Sequence, residues 1–295
     1  IKHSYAIKID KKLPVTSDNS SSIWVNEDQI ITLTCTDTGS GCNYTTYCID
    51  DVGICEPLDV YSGYVNVTCS SVCERYIRYR SNDSVGNLEI IRVSKQIKID
   101  KLSPLTIISP NSSSFVASDI SFSLSCSDSG SGCNKTYYKI VNSNDACPSS
   151  GYVEGNNGII ACNSDGVCIK KVCYYSSDYA GNKESIRVSG LFNIDKAAPT
   201  VDNISLNITN DMIYGDKRIL KGGFVKLYVN VSDISNVSWV NASIKSPVQS
   251  FNITLSLENG SYSNGLWSGI FKADTAGKYI ITNIYSIDTL GNKLI

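Results

Sequence analysis

The chain has 295 residues, 42% of them hydrophobic and 18% charged, with 26 basic residues against 28 acidic ones. That length suits about two or three domains, each large enough to bury its own core. The balanced charge, without a basic cluster, leaves no electrostatic footprint for nucleic acid or an anionic membrane surface, and no apolar run approaches the ~20 residues of a membrane-spanning helix.

The chain opens on IKHSYAIKID, Ile1 to Asp10, which matches IRVSKQIKID, residues 91–100, rather than the start of any unit. Tyr5, Ile7 and Ile9 stand two apart, with Ala6 and Lys8 between them, as in a strand with one buried face, and Ile1 leads the segment. Residues 11–100 then carry ITLTCTDTGSGC, in which Ile31, Leu33 and Cys35 alternate with Thr32 and Thr34. The unit closes with SNDSVGNLEIIRVSKQIKIDKLSP, ending at Pro104.

Residues 101–195 repeat both pieces as FSLSCSDSGSGC, ending at Cys133, and SSDYAGNKESIRVSGLFNIDKAAP, ending at Pro199. Gly86 and Gly181 are 95 residues apart, as are Asp100 and Asp195. Residues 196–295 form a third unit: KGGFVKLYVNVSD puts Asp233 in register with Asp37 and Asp128, and Val231 where Cys35 and Cys126 stood. A valine suits a small apolar inward-facing strand position. The final SIDTLGNKLI aligns Asp288, Gly291 and Asn292 with Asp83, Gly86 and Asn87. Nothing in the chain sustains a helical stripe; the apolar period is two throughout. The D-x-x-G-N element reads as a hairpin turn, since Gly tolerates positive φ. Pro14, Pro104 and Pro199 stiffen the linkers and block edge pairing.

Twelve cysteines divide evenly, with Cys35, Cys42, Cys48, Cys55, Cys69 and Cys73 in the first unit and Cys126, Cys133, Cys147, Cys162, Cys168 and Cys173 in the second. Their spacings lack the paired two-residue gaps of a zinc ribbon, and His3 is the sole histidine. Disulfides in an oxidising compartment are the expectation. Six cysteines allow fifteen pairings per unit; local Cys35–Cys42 and Cys126–Cys133 links are favoured. Thirteen of the 26 asparagines lie in N-x-S/T sequons: Asn19, Asn43, Asn66, Asn82, Asn111, Asn134, Asn203, Asn207, Asn230, Asn236, Asn241, Asn252 and Asn259. This excess suggests glycan attachment on a secreted chain.

The combination of C-x-D-x-G-S-G-C, D-x-x-G-N-x-E and I-D-x-x-x-P resembles the bacterial and archaeal immunoglobulin-like tandem repeats of large cell-surface, adhesin and S-layer-associated proteins. The resemblance spans nearly all of the first two units and, in the third, mainly the opening strand and the D-x-x-G-N turn. It implies an all-β chain of three immunoglobulin-like sandwiches at 11–100, 101–195 and 196–295, a size and strand number that fit that fold. In the third, cysteine-free unit, Trp239 and Trp267 are expected to supply core volume.

Joining SIDTLGNKLI to IKHSYAIKID gives twenty residues in register with SNDSVGNLEIIRVSKQIKID without a gap. The third sandwich is therefore expected to lack its last strand and to be completed by residues 1–10 of a neighbouring copy, through Ile1, Tyr5, Ile7 and Ile9. Either subunits donate strands head to tail, or the chain is one three-domain period of a longer tandem polypeptide. The expected role is a structural subunit of an extracellular, cell-surface filament or stalk whose partner is itself. The alternative is an adhesin ectodomain for other cells or surface glycans, with Tyr44, Tyr47, Tyr61 and Tyr64 as its aromatic cluster.

No catalytic residue, cofactor or metal is expected. A triad has no base beyond His3, the carboxylate pairs Asp50/Asp51 and Asp178/Glu184 lack distinguishing features, and SGSGC lacks the lysine of a phosphate loop. The aspartates Asp37, Asp128 and Asp233, with Asp83, Asp178 and Asp288, could bring carboxylates together near domain junctions as calcium requires, but capping of turns is the preferred reading.

Overall fold

The computed structural model of the chain describes residues 8–208 and 219–295; Ile1, Tyr5 and Ile7 of the expected docking strand, and His3, lie outside the described residues. No helix occurs among the described residues, and none is long and apolar enough to cross a membrane. The chain is three tandem β-sandwiches.

The first contains β1 (Val15–Asp18), β2 (Trp24–Val25), β3 (Gln29–Ile31), β4 (Leu33–Thr36), β5 (Cys42–Asp50), β6 (Asp59–Val60), β7 (Val65–Val67), β8 (Val72–Asp83), β9 (Arg92–Val93) and β10 (Ile97–Asp100). One layer pairs β1 with β4 and β3 with β7; the other runs β2-β10-β8-β5-β6, with β9 also on β8. The period of two in the sequence has its physical meaning here: Ile31, Leu33, Val65 and Val67 face Ile77, Tyr79, Ile97 and Ile99 across one buried core.

The second repeats the plan with β11 (Leu105–Ser109), β12 (Phe115–Val116), β13 (Ile120–Ser127), β14 (Cys133–Asn142), β15 (Val153–Glu154), β16 (Asn157–Ile160), β17 (Val167–Asp178), β18 (Arg187–Val188) and β19 (Phe192–Asp195). Its layers are β11-β13-β16 and β12-β19-β17-β14-β15. In both sandwiches the last strand is the plug of the core: β10 buries Ile97 and Ile99 between β8 and β2, and β19 buries Phe192 and Ile194 between β17 and β12.

The third has β20 (Thr200–Ile208), β21 (Gly223–Ser232), β22 (Val237–Lys245), β23 (Ser250–Gly260), β24 (Asn264–Ala273), β25 (Ile280–Asp288) and β26 (Lys293–Leu294) in the order β20-β21-β24-β23-β22-β25-β26. Strand β23 joins the layers, pairing with β22 through Ser250 to Leu255 and with β24 from Ser256 to Gly260. Val231 is fully buried, as its alignment with the cysteines implied. Trp267 enters the core, whereas Trp239 is only half-buried and lies outside the core clusters.

All twelve cysteines are paired: Cys35–Cys42, Cys48–Cys55, Cys69–Cys73, Cys126–Cys133, Cys147–Cys173 and Cys162–Cys168. Cys35–Cys42 and Cys126–Cys133 tie the end of β4 or β13 in one layer to the start of β5 or β14 in the other, and no disulfide joins β4 to β8 or β13 to β17 as an immunoglobulin B–F bridge would. Loop-closure entropy then ranks them. The 26-residue separation of Cys147–Cys173 against the 7 of Cys126–Cys133 makes its removal costlier by about 1 kcal/mol. Denaturant titration of the two paired-alanine variants tests this; equal losses would show that loop length does not govern the contribution.

Candidate functional site: the acidic junctions

The repeated motifs converge at the three places where one strand end meets the next sandwich. The aspartates of the three I-D dipeptides, Asp10, Asp100 at the end of β10 and Asp195 at the end of β19, each join two aspartates of the following sandwich: Asp37 and Asp83, Asp128 and Asp178, and Asp233 and Asp288. Within each group one oxygen per carboxylate lies within 4.8 Å of the others.

Each group is built in the same way, and the construction explains the motifs. In D-x-x-G-N the aspartate holds its own turn: Asp178 Oδ1 accepts the Asn182 N–H and Oδ2 accepts the Asn182 side-chain amide, both at 2.7 Å. Gly181, at φ +97°, turns the chain so that both contacts form. That amide also donates to the Asp100 carbonyl at 2.8 Å, fixing the end of the preceding sandwich. Asn87 makes the same bond to Asp10 at 3.3 Å, and Asn292 to Asp195 at 3.0 Å.

The SGSGC loop receives two carboxylates. Asp128 Oδ2 accepts the N–H groups of Gly130 and Gly132, at 3.0 and 2.7 Å, and Asp100 Oδ2 accepts that of Ser131 at 2.7 Å. In the first sandwich Asp37 takes Gly39 and Gly41, and Asp10 takes Ser40 at 2.5 Å. A Cβ on Gly130 would overlap the Asp100 carboxylate, so close approach of the linker aspartate demands glycine. The third sandwich lacks the glycines, and there the Ser235 hydroxyl donates to Asp195 in place of the backbone.

The backbone N–H groups of Lys12 and Ser40 keep the Asp10 carboxyl below the usual range. Burial pushes Asp83 up, but the Asn87 side-chain and backbone donors outweigh it and leave it lowered. Asp233 differs. Burial, and then the charges of Asp195 and Asp288, raise it to about 6, against one backbone donor from Ser235. No ion pair among the described residues includes one of these nine aspartates. Two ionised carboxylates at this spacing repel by roughly 3 kcal/mol at an effective dielectric of about 20. The donor set is oxygen only, of the kind that could hold a hard divalent cation such as calcium. The aspartates thus cap turns, as the sequence indicated, and also converge. The linker aspartates Asp10, Asp100 and Asp195 are the members that sequence reasoning left out of the set.

A second repeated network sits beside each of the first two junctions. Glu89 accepts the Thr16 N–H and hydroxyl at 2.8 and 2.6 Å, and the Ser81 N–H at 3.2 Å. Glu184 accepts the same groups of Thr106 and Ser176. In the third sandwich Val201 and Leu294 replace the threonine and glutamate, and Ser286 Oγ is buried without a partner.

The other sequence candidates are dispersed. Asp50 accepts N–H groups of Gly53, Ile54 and Cys55, Asp51 pairs with Arg75, and Glu184 serves the network above rather than a partner in Asp178. Tyr47 and Tyr61 pack on the first core while Tyr44 and Tyr64 are exposed, so the four tyrosines form no single surface. Asn19, Asn43, Asn66, Asn111, Asn134, Asn203, Asn207, Asn236, Asn252 and Asn259 are exposed. Asn82, Asn230 and Asn241 are half-buried, and Asn82 Oδ1 is enclosed.

No family model and no curated protein matches the chain. Among solved structures it is similar to fibronectin(III)-like modules of CbhA from Clostridium thermocellum, with 9% identity and a TM-score of 0.30 over 62% of this chain and 94% of that one. It is also similar to the three N-terminal domains of the highly immunogenic outer capsid protein Hoc of bacteriophage RB49, with 12% identity and a TM-score of 0.35 over 95% and 97%.

Two outcomes follow. Gly130→Ala displaces Asp100 from its loop, and small-angle scattering should show a broader distribution of angles between the first two sandwiches while each still melts cooperatively; an unchanged distribution would refute the junction's role. For Asp233, a folded-state value above the unfolded one means stability is gained as pH falls through about 6 and lost as it rises. In divalent-free buffer the third sandwich should melt higher at pH 5 than at pH 7.5, and Asp233→Asn should abolish the difference. A domain that weakens over that window contradicts it.

Proposed function

We propose that the chain is a structural, non-catalytic period of an extracellular filament or stalk, continued end to end by a strand that completes its third sandwich. The observation that carries this reading is the junction repeated at Asp10, Asp100 and Asp195, where Asn87, Asn182 and Asn292 each donate to the carbonyl of the aspartate that precedes their sandwich. Residues 1–10 match the sequence that ends the first sandwich. Strand donation and covalent tandem continuation are both compatible with it.

Six disulfides and thirteen sequons support an oxidising, extracellular setting. The junctions, built alike before the first two sandwiches and with the Ser235 hydroxyl in place of the backbone donor before the third, support a load-bearing series rather than loosely tethered beads. The adhesin reading draws on one surface, the β6 edge of the first sandwich, where Ile54, Leu58, Val60 and Tyr64 are exposed.

Electron microscopy of purified chain with and without residues 1–10 tests the proposal. The full chain should form linear assemblies, and the truncated chain should remain as single three-domain rods. Assemblies of equal length from both would eliminate strand-mediated continuation, and intact-mass analysis of native fibres without reduction separates donated strands from a covalent tandem.

A further inference from the structure

We infer that the second sandwich carries a binding site for an acidic sugar, in which Tyr174 and Arg187 take the carboxylate in a cleft between β11 and β18. The site belongs to one sandwich and is independent of how the chain is continued at its ends.

The first sandwich shows what such a place requires. Tyr79 of β8 lies four residues before Asp83 and has Arg92 of β9 as its ladder partner. Tyr79 is 3% exposed, and its hydroxyl donates to Asp18 Oδ2 at 2.6 Å, while Asp18 Oδ1 accepts the Ser20 N–H at 2.8 Å. Arg92 pairs with Glu89. An internal carboxylate satisfies the tyrosine, and another satisfies the arginine.

The second sandwich keeps the tyrosine and the arginine but supplies neither with a carboxylate. Tyr174 lies four residues before Asp178 and pairs with Arg187 in the same register. The ladders place Asp18 opposite Leu33 and Ile108 opposite Leu124, two residues after the matching threonines Thr16 and Thr106. Ile108 therefore stands where Asp18 stood, and it offers no acceptor. Glu184, the counterpart of Glu89, bonds Thr106 and Ser176 and not Arg187. Tyr174 is 4% exposed, yet among the described residues its hydroxyl has no hydrogen-bond partner and Arg187 no ion-pair partner. A nearly buried hydroxyl left unbonded is costly, and an incoming oxygen removes that cost.

The space for a ligand is present. Tyr174, Arg187, Ile107, Ile108, Asn111 and Val188 line a cavity of about 450 Å³, within the range of small-molecule clefts. Strands β11 and β18 both lie at the edges of their layers, so the cleft is reached from the side of the sandwich. Its chemistry selects the occupant. A guanidinium and a phenolic O–H are donors that bond most strongly to an anionic oxygen, and no carboxylate lines the cavity. The volume exceeds what a carboxylate alone fills. Ile107 and Val188 are exposed at the rim and offer apolar contact to the C–H face of a ring. Asn111 Oδ1 accepts the Gly190 N–H at 3.3 Å, which leaves the Asn111 amide hydrogens for ring hydroxyls. A carboxylate on a ring with both C–H and hydroxyl faces is an acidic sugar.

The test uses the full disulfide-bonded chain, produced without glycans because Asn111 begins a sequon, and isotope-labelled at tyrosine and arginine side chains. The probes are sodium glucuronate, glucose and inorganic phosphate. Nuclear magnetic resonance should show glucuronate shifting the Tyr174 and Arg187 signals saturably, glucose leaving them in place, and phosphate shifting them more weakly. Tyr174→Phe and Arg187→Gln should each weaken glucuronate binding at least about 10-fold. Ile108→Asp restores the internal carboxylate of the first sandwich and should abolish binding in a chain that still melts cooperatively. Equal shifts from glucose, stronger shifts from phosphate, unchanged affinity in Tyr174→Phe, or saturation only at other residues would overturn the assignment.

Discussion

A single aspartate at the end of each I-D strand belongs to two sandwiches at once, and the rest of the architecture is arranged around that dual membership. The backbone of Asp100 closes the ladder of β10 with β8, opposite Val72, and so ends the first core. Its carboxylate and carbonyl accept hydrogen from Ser131, Leu102 and Asn182, and so begin the second sandwich. Because the tether is a ring of hydrogen bonds around one side chain, orientation at the junction does not depend on a large apolar interface of the kind that usually fixes neighbouring domains. It depends on the linker being short, on glycine at 130, and on an asparagine in the following turn.

The third sandwich satisfies the same geometric demand with different chemistry. A hydroxyl replaces a backbone donor at Ser235, and Asp233 takes on a raised proton affinity because it is buried beside Asp195 and Asp288 with one backbone donor, from Ser235, to offset them. Its stability is organised differently as well. The first two sandwiches use strands of two to five residues for most of one layer and staple the intervening loops with three disulfides each. The third has no cysteine, but β20 to β25 run nine to eleven residues and bring Trp267 and Phe271 into the core. Longer ladders bury more area; cross-links restrict the unfolded chain. Both routes hold a sandwich of similar size.

Alternation by two makes the core legible from the amino-acid order alone: Ile31, Leu33, Phe122, Leu124, Val225, Leu227, Val229 and Val231 are all buried. The Asp of each D-x-x-G-N turn is legible as a cap because its partners lie within four residues. The linker aspartate is not, because its Ser40 and Ser131 donors lie 30 and 31 residues away and bond through the backbone, which carries no side-chain signature. The signal that could have found it is the co-occurrence in each of the first two units of I-D before the proline and G-S-G after strand B. Disulfides divide in the same way. Cys35–Cys42 and Cys126–Cys133 follow from a repeated seven-residue spacing, whereas Cys147–Cys173 spans 26 residues and has no counterpart in the first unit. The tyrosines mislead because a strand places neighbours on opposite faces: Tyr44 points outward and Tyr47 inward.

The dual membership of the linker aspartate also couples each core to the next joint. Asp100 meets the second sandwich at its loop and turn, and in the first it ends β10, which pairs with β8 and buries Ile97 and Ile99. Loss of β10 from the first core therefore also removes the residue that the second sandwich holds. The same sequence, I-K-I-D, recurs at residues 7–10 with Ile9 exposed and its aspartate docked.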